Sequence, residues 1–198
     1  REKQMPVIDS FKKRYWEKFG SPLPVFVPEA SIQAIQPIEQ NFHFEGFYAP
    51  TILFQDPCTI QERSKSLGNP EVFQVLSYAE PFSQTCHWDG EIIIAEDGQL
   101  NALRLITKNI LAINMLTHST VDWHTQYIIV PLSTPITVSK GDHISIRFSY
   151  QGGAPLNALS DSLEVRLVSK RVPVLELALE ALNYPSKFRS NTSHMHHH

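Results

Sequence analysis

One short segment holds the side chains best suited to chemistry or binding. Asp122, Trp123 and His124 are consecutive, and His118 lies shortly before them. Imidazole and carboxylate groups are ligands for zinc or iron, but this spacing does not bring them to one face of a helix. We therefore favour polar loop residues over a metal site. Since binding residues often lie on loops, we predict that Asp122, Trp123 and His124 contact a substrate. The simpler alternative is a loop whose Trp covers one end of the fold.

The other candidates for catalysis or cofactor binding are incomplete. Gly152 and Gly153 follow a predicted strand, but we expect no helix after them and no third glycine is suitably spaced, so a turn is favoured over a nucleotide site. Cys58 and Cys86 lack the neighbours of known catalytic motifs, and we expect two free, buried thiols. We predict that this chain alone has no catalytic residues, no cofactor site and no metal site.

Composition narrows the class of protein. The 198 residues are 42% hydrophobic and 19% charged, as in globular domains, and the net charge is −3. A chain without a basic excess is a poor partner for nucleic acid, and its apolar runs are too short to span a membrane. We expect a cytoplasmic protein. Residues 193–198 resemble an expression tag, and because the sequence begins at Arg1 we expect a preceding segment.

The elements around these residues are mostly predicted strands. Residues 6–19 have helical periodicity and end at Gly20. From Val25 the period becomes two, with a first strand expected to end at Pro37. Further short strands are separated by turn sequences such as Asp89-Gly90. Those strands are predicted at residues 72–79, 90–95, 102–106, 109–116, 126–131, 143–150 and 163–168. The pattern predicts a mainly β fold, an antiparallel barrel or sandwich with an N-terminal helix and a short C-terminal helix.

Boundaries follow from the same pattern. Residues 1–24 are a helix and linker, and residues 25–170 form the β domain. Within it, residues 41–69 are rich in aromatic side chains and turn residues, which indicates an arm that packs on another surface. Residues 172–182 are predicted as the C-terminal helix, within a segment of helix and tail at residues 171–190. The tail and tag follow at residues 191–198.

A family resemblance extends over residues 27–146. Protein arginine methyltransferases and their bacterial relatives carry a Thr-His-Trp loop, an apolar strand and a Val-x-x-Gly-acid turn late in their barrel. Here Val121-Asp122-Trp123, residues 127–132 and residues 138–142 resemble these three features in the same order. Upstream, Val27-Pro28 and the strand after it resemble the start of that barrel. Residues 41–69 then fall where the family inserts its dimerisation arm.

The resemblance implies a role as part of a larger protein. The family binds S-adenosylmethionine in an α/β domain before the barrel, and that domain also holds the substrate guanidinium with two glutamates. Neither feature occurs in this sequence. The resemblance therefore implies the substrate-binding and dimerisation barrel of a methyltransferase, with residues 6–19 as the possible end of the cofactor domain. The partners expected are that N-terminal domain and a second copy that pairs through residues 41–69.

One departure from the family concerns the loop. The family's loop His is matched by Asp122, and in the family that His pairs with an acid near the cofactor domain. An Asp cannot take that place beside an acid unless one of the two is protonated, because like charges repel. His124, two residues later, is the alternative source of an imidazole.

Two other classes of function fit the sequence. The chain could be a free-standing β-sandwich that binds a small apolar or carbohydrate ligand on exposed aromatic side chains such as Trp88 and Trp123. Independently of that alternative, the Cys86-His87 pair is too short to count as a site, and we favour His87 as a turn residue beside a packed indole. The other class is purely structural, with residues 42–54 as a contact between copies.

Overall fold

The computed structural model describes residues 4–168, which form a mainly β domain with two helices. A seven-stranded sheet faces a three-stranded sheet, and a separate two-stranded hairpin completes the fold. All strand pairs are antiparallel. The predicted fold class, an antiparallel barrel or sandwich with an N-terminal helix, is confirmed.

The elements are numbered in chain order. The helices are α1 (Gln4–Phe19) and α2 (Leu156–Ser162). The strands are β1 (Ala30–Gln40), β2 (His43–Phe44), β3 (Phe47–Tyr48), β4 (Leu53–Gln55), β5 (Ser64–Ser66), β6 (Glu71–Ser77), β7 (Thr85–Ile93), β8 (Gly98–Asn114), β9 (Ser119–His124), β10 (Tyr127–Val138), β11 (His143–Gln151) and β12 (Glu164–Val168).

Strand β8 is the centre of the seven-stranded sheet. It pairs with β1 along one edge, and with β10 and then β9 along the other. The prediction of two separate strands at residues 102–106 and 109–116 was wrong. The polar residues between them, Thr107 and Lys108, continue the strand, and Thr107 is buried. A buried polar side chain on an unbroken strand has the same sequence pattern as a turn.

Strand β1 also continues past its predicted end at Pro37. Its edge pairs with β6 up to Ile35 and with β5 from Ile38. The Pro37 carbonyl accepts a hydrogen bond from the Leu67 N–H at 3.0 Å, so its nitrogen faces the same gap between β5 and β6. The missing N–H therefore removes no bond between paired strands.

The three-stranded sheet has the order β12-β11-β7. Strand β7 begins at Thr85, so the prediction that Asp89-Gly90 forms a turn, and that His87 lies in one, was wrong. Asp89 and Gly90 instead pair with Arg147 and Ile146 of β11. A Cβ on Gly90 would overlap the Trp88 ring, so this glycine accommodates an indole rather than a turn. The main core lies between the two sheets and includes Phe148.

Helix α1 lies on one end of the domain. Its buried residue is Met5, which packs with Leu76 and Tyr78 and contacts Gly152. Lys12 donates a hydrogen bond to the Glu80 carbonyl at 2.7 Å. Beyond Lys12 the helix extends away from these contacts, with most side chains exposed.

The segment predicted as an arm is packed against the seven-stranded sheet at its base. Phe42 is buried and packs with Ile38, Ala102 and Ile129 on the face of the seven-stranded sheet opposite the main core. The tip, formed by β2 and β3, leaves Phe47 exposed. The prediction of two buried thiols was wrong for Cys58, which is exposed and free, whereas Cys86 is free and buried.

The C-terminal end of the described chain contains a helix that the sequence did not predict. The turn at Gly152 and Gly153 is confirmed, but α2 begins three residues after it. With seven residues, α2 is too short to show a helical period. The helix predicted at residues 172–182 lies outside the described residues, as do the tail and tag.

Candidate functional site

The predicted substrate-contacting residues lie on a strand and not on a loop. Asp122, Trp123 and His124 belong to β9, which forms a hairpin with the last part of β8. Side chains alternate between the two faces of a strand. Asp122 and His124 therefore share one face, and Trp123 lies on the other. A substrate that contacts all three must wrap around the edge of β9.

Asp122 is held by three neighbours. The Thr120 hydroxyl donates to its Oδ1 at 2.9 Å, and Lys108 Nζ lies 3.4 Å from the same oxygen. His124 Nε2 lies 3.5 Å from Oδ2. The Thr120 hydroxyl, and then the charges of Lys108 and His124, hold the pKa of Asp122 below its ordinary value, although burial opposes them. The group is thus an ionised carboxylate with a fixed orientation.

The position of His124 bears on the departure from the family pattern. Its imidazole lies on the same face as Asp122, beside a carboxylate that also contacts Lys108. The cluster can therefore offer an incoming group an imidazole, an ammonium and a carboxylate. Such a set can bind a polar ligand of either charge, and the imidazole can donate or accept a proton.

The opposite face of the hairpin and its turn carry exposed apolar side chains. Trp123 is 48% exposed, and the tip residue Leu116 is 94% exposed. Val121 on the same face and Met115 in the turn are also exposed, whereas the exposed Ile113 pairs with Thr120 and lies on the face of the Asp122 cluster. Contiguous apolar surface of this kind marks a contact site in soluble proteins. The hairpin thus carries the polar cluster on one face, Trp123 and Val121 on the other, and further exposed apolar side chains in its turn.

Trp88 and Trp123 do not form a common platform. Trp88 lies in β7 of the three-stranded sheet, half-buried, with its ring centroid 5.6 Å from that of Phe148 and 6.3 Å from that of Phe73. Trp123 lies in the other sheet. The expectation that Trp88 is an exposed aromatic residue was wrong, because its indole packs against the core.

Sequence reasoning missed two members of the cluster. Lys108 pairs across the hairpin with His124, and Thr120 lies two residues before Asp122 on the same face. The sequence shows that Thr120, Asp122 and His124 are spaced two residues apart. This spacing indicates a shared face only if the segment is known to be a strand. Lys108 could be found only from the hairpin register, which depends on where the turn at residues 115–118 falls.

The sequence raised one other kind of site, a metal centre at His118, Asp122 and His124. No group of three or more His, Cys, Asp or Glu side chains within residues 4–168 is arranged to hold a metal ion. Neither of the helices described is both long and apolar enough to cross a membrane.

Comparisons with known proteins gave one kind of match. No family model matches the sequence, and no curated protein matches it. Among solved structures, the chain is similar to a chain of the "Trypanosoma brucei PRMT1 enzyme-prozyme heterotetrameric complex with AdoHcy", with a TM-score of 0.47 and 10% identity. The match covers 71% of this chain and 56% of that one. This chain therefore spans little more than half the length of the chain it matches.

Proposed function

We propose that this chain is a docking and substrate-binding barrel that works together with an S-adenosylmethionine-binding domain of a methyltransferase. In that role it forms one wall of the substrate cleft and transfers no methyl group itself. The sequence resemblance at Val121-Asp122-Trp123 and at the turn of residues 138–142 supports the identity of the partner domain. That turn is formed as expected, with the Asp142 carboxylate accepting the Ser139 N–H at 2.7 Å.

The observation that carries the docking role is the exposed aromatic side of α1. Phe11, Tyr15 and Phe19 form a row at helical spacing, with successive ring centroids 5.7 and 5.0 Å apart. Phe11 also packs edge-on against Phe26 and Tyr15 is half-buried, so the exposed part of this surface is its end at Trp16 and Phe19. Trp16 is 59% exposed and Phe19 62%. Leaving such side chains in water forfeits about 1.5–3 kcal/mol for each one that could be fully buried. A helix with this side uncovered is suited to pack against another domain.

The hairpin is the part that we assign to the substrate. Its Asp122 cluster provides fixed polar groups at an edge, and Trp123 provides an adjacent apolar surface. In a two-domain enzyme such a wall contributes orientation of the acceptor toward the methyl donor. His124, on the same face as Asp122, is positioned to supply the imidazole that the family places in this region.

The arm is assigned to self-association. Its base is held by Phe42, whereas Phe47, Tyr48 and Phe54 are exposed. An arm with a fixed base and an apolar tip suits contact with a second copy. Self-association through the arm and docking to a cofactor domain are both parts of this proposal.

Hydrogen–deuterium exchange of α1 tests the docking role. We expect the amides of residues 11–19 to exchange more slowly in the full-length product of the gene than in this chain alone, because a docked domain suppresses opening of the helix. Amides in the centre of β1 serve as the control, since both forms bury them. Equal exchange of α1 in both forms would rule out docking through this helix.

A further inference from the structure

A buried arginine lies on the same face of β8 as Lys108. Arg104 is 6% exposed and is opposite Gln36 of β1 and Ile129 of β10. It interrupts the apolar run Leu103-Arg104-Leu105-Ile106. Its face is the one that the base of the arm covers through the Phe42 cluster. A guanidinium in this position is shielded from water, with one polar neighbour, Gln36, and one apolar neighbour, Ile129, on the adjacent strands.

The guanidinium is only partly satisfied. Nη1 donates to Gln36 Oε1 at 3.0 Å, and the Cζ atom lies 5.6 Å from the centre of the Tyr127 ring. Nε and Nη2 are buried and have no hydrogen-bond partner within the described residues. These two nitrogens form one edge of the guanidinium, and their N–H bonds point in the same direction. That edge is the one that holds a carboxylate through two parallel hydrogen bonds.

The charge of Arg104 has no counter-ion in the part of the chain that the structure describes. Within residues 4–168, no Asp or Glu forms an ion pair with Arg104. Burial lowers the pKa of Arg104 while Tyr127 opposes the shift, and a guanidinium stays protonated at neutral pH. A buried charge without a partner is costly, and so are buried donors without acceptors. An anion from outside the described residues would remove both costs.

We propose that Arg104 is the recognition residue of a binding site for a small-molecule carboxylate, which accepts hydrogen bonds from Nε and Nη2. Gln36 orients the guanidinium through Nη1, and Tyr127 forms an adjacent wall. Gln36 and Tyr127 are both partly exposed, whereas the free edge is buried, so a carboxylate can reach Nε and Nη2 only if a covering side chain moves. Movement of the Tyr127 side chain would open the path. This site is separate from the Asp122 cluster and does not depend on the methyltransferase role.

The test uses the chain with sodium succinate and sodium acetate as probes and sodium chloride at equal ionic strength as the control. We expect the carboxylates to raise the unfolding temperature of the wild type and to shift the NMR signal of the Arg104 Nε–H. Arg104→Lys keeps the charge but loses the two-bond edge, so its affinity should fall roughly tenfold to hundredfold. Arg166→Lys, at an exposed arginine of β12, is the matched control and should bind as the wild type does.

Three results would overturn the proposal. The first is an unchanged Arg104 Nε–H signal at saturating carboxylate, which is read on the wild type and needs no variant to fold. The second is equal stabilisation of the wild type and Arg104→Met, which would place any carboxylate elsewhere. The third is a wild type that self-associates through Arg104 while ignoring free carboxylates, because the anion would then come from a second copy.

Discussion

At the scale of residues, Asp122 is the best-defined group of the candidate site. Its two oxygens are engaged by Thr120, Lys108 and His124, which fixes the carboxylate on the hairpin. A fixed, ionised group can align a polar ligand without first paying for its own ordering. The same contacts make the cluster sensitive to acid.

The acid sensitivity gives a first prediction. The pKa of Asp122 in the folded state is lowered, with the Thr120 hydroxyl as the largest cause, whereas an unfolded Asp titrates at about 3.9. The stabilisation is therefore complete above that value and is lost as pH falls through the folded pKa. We expect Asp122→Asn to unfold at lower urea concentration than the wild type at pH 7.

Urea titrations at several pH values measure this difference. The two midpoints should converge as pH falls, and Thr120→Val should behave like a weaker version of Asp122→Asn. If the difference between the urea midpoints of the wild type and Asp122→Asn stayed constant down to low pH, the ionised carboxylate would not be stabilised by its neighbours.

Part of this site could be predicted from the sequence. Asp122 and His124 were identified as candidates because their side chains are the kinds that bind and transfer protons. The sequence did not predict that Trp123 lies on the face opposite Asp122 and His124. We expected a loop, whereas in a strand neighbouring side chains point to opposite faces. Arg104 was also passed over. The available signal was a single charge within a run of apolar residues, which is unusual for a strand that is covered on both faces.

At the scale of elements, α1 is held to the domain through its first half, between Met5 and Lys12. Met5 is 1% exposed and packs between Leu76 and Tyr78. Tyr78 also lies 2.8 Å from the Ser31 hydroxyl, which in turn donates to Asn109 Oδ1 at 2.6 Å. These buried hydrogen bonds connect Tyr78, against which Met5 packs, to β1 and β8. The far end of the helix has no comparable support within the described residues.

Truncation of Met5 tests this attachment. We expect Met5→Ala to lower the free energy of unfolding by about 2 kcal/mol or more, because it leaves a cavity in a packed site. Val7→Ala is the matched control on the same helix, where Val7 is 67% exposed. It should change stability by less than about 0.5 kcal/mol. Similar effects for both variants in urea titrations would show that α1 is not anchored through Met5.

Element boundaries show where sequence reasoning reaches its limit. The helix at residues 6–19 was predicted almost to its observed ends, because a long amphipathic period is a strong signal. Pro37 and Asp89-Gly90 were read as ends of strands, yet both lie inside strands. Pro37 is tolerated because its nitrogen faces the gap between β5 and β6, and Gly90 is required because the Trp88 ring lies against it. Neither neighbour can be recognised from the local sequence.

At the scale of the whole molecule, the antiparallel fold class followed from many short alternating segments. What the sequence did not reveal is the distribution of its exposed apolar surface. That surface lies on three elements, the outer end of α1, the β8–β9 hairpin and the tip of the arm. Exposed apolar surface of this kind is what the proposed contacts with another domain and a second copy require.

Binding of S-adenosylmethionine is the most direct test of that proposal. Isothermal titration calorimetry would compare this chain with the full-length product of its gene. We predict binding by the full-length protein and none by the chain alone, because in the proposed role the chain supplies a substrate wall and not the cofactor site. Micromolar binding by the chain alone, or no binding by the full-length protein, would contradict the proposed role.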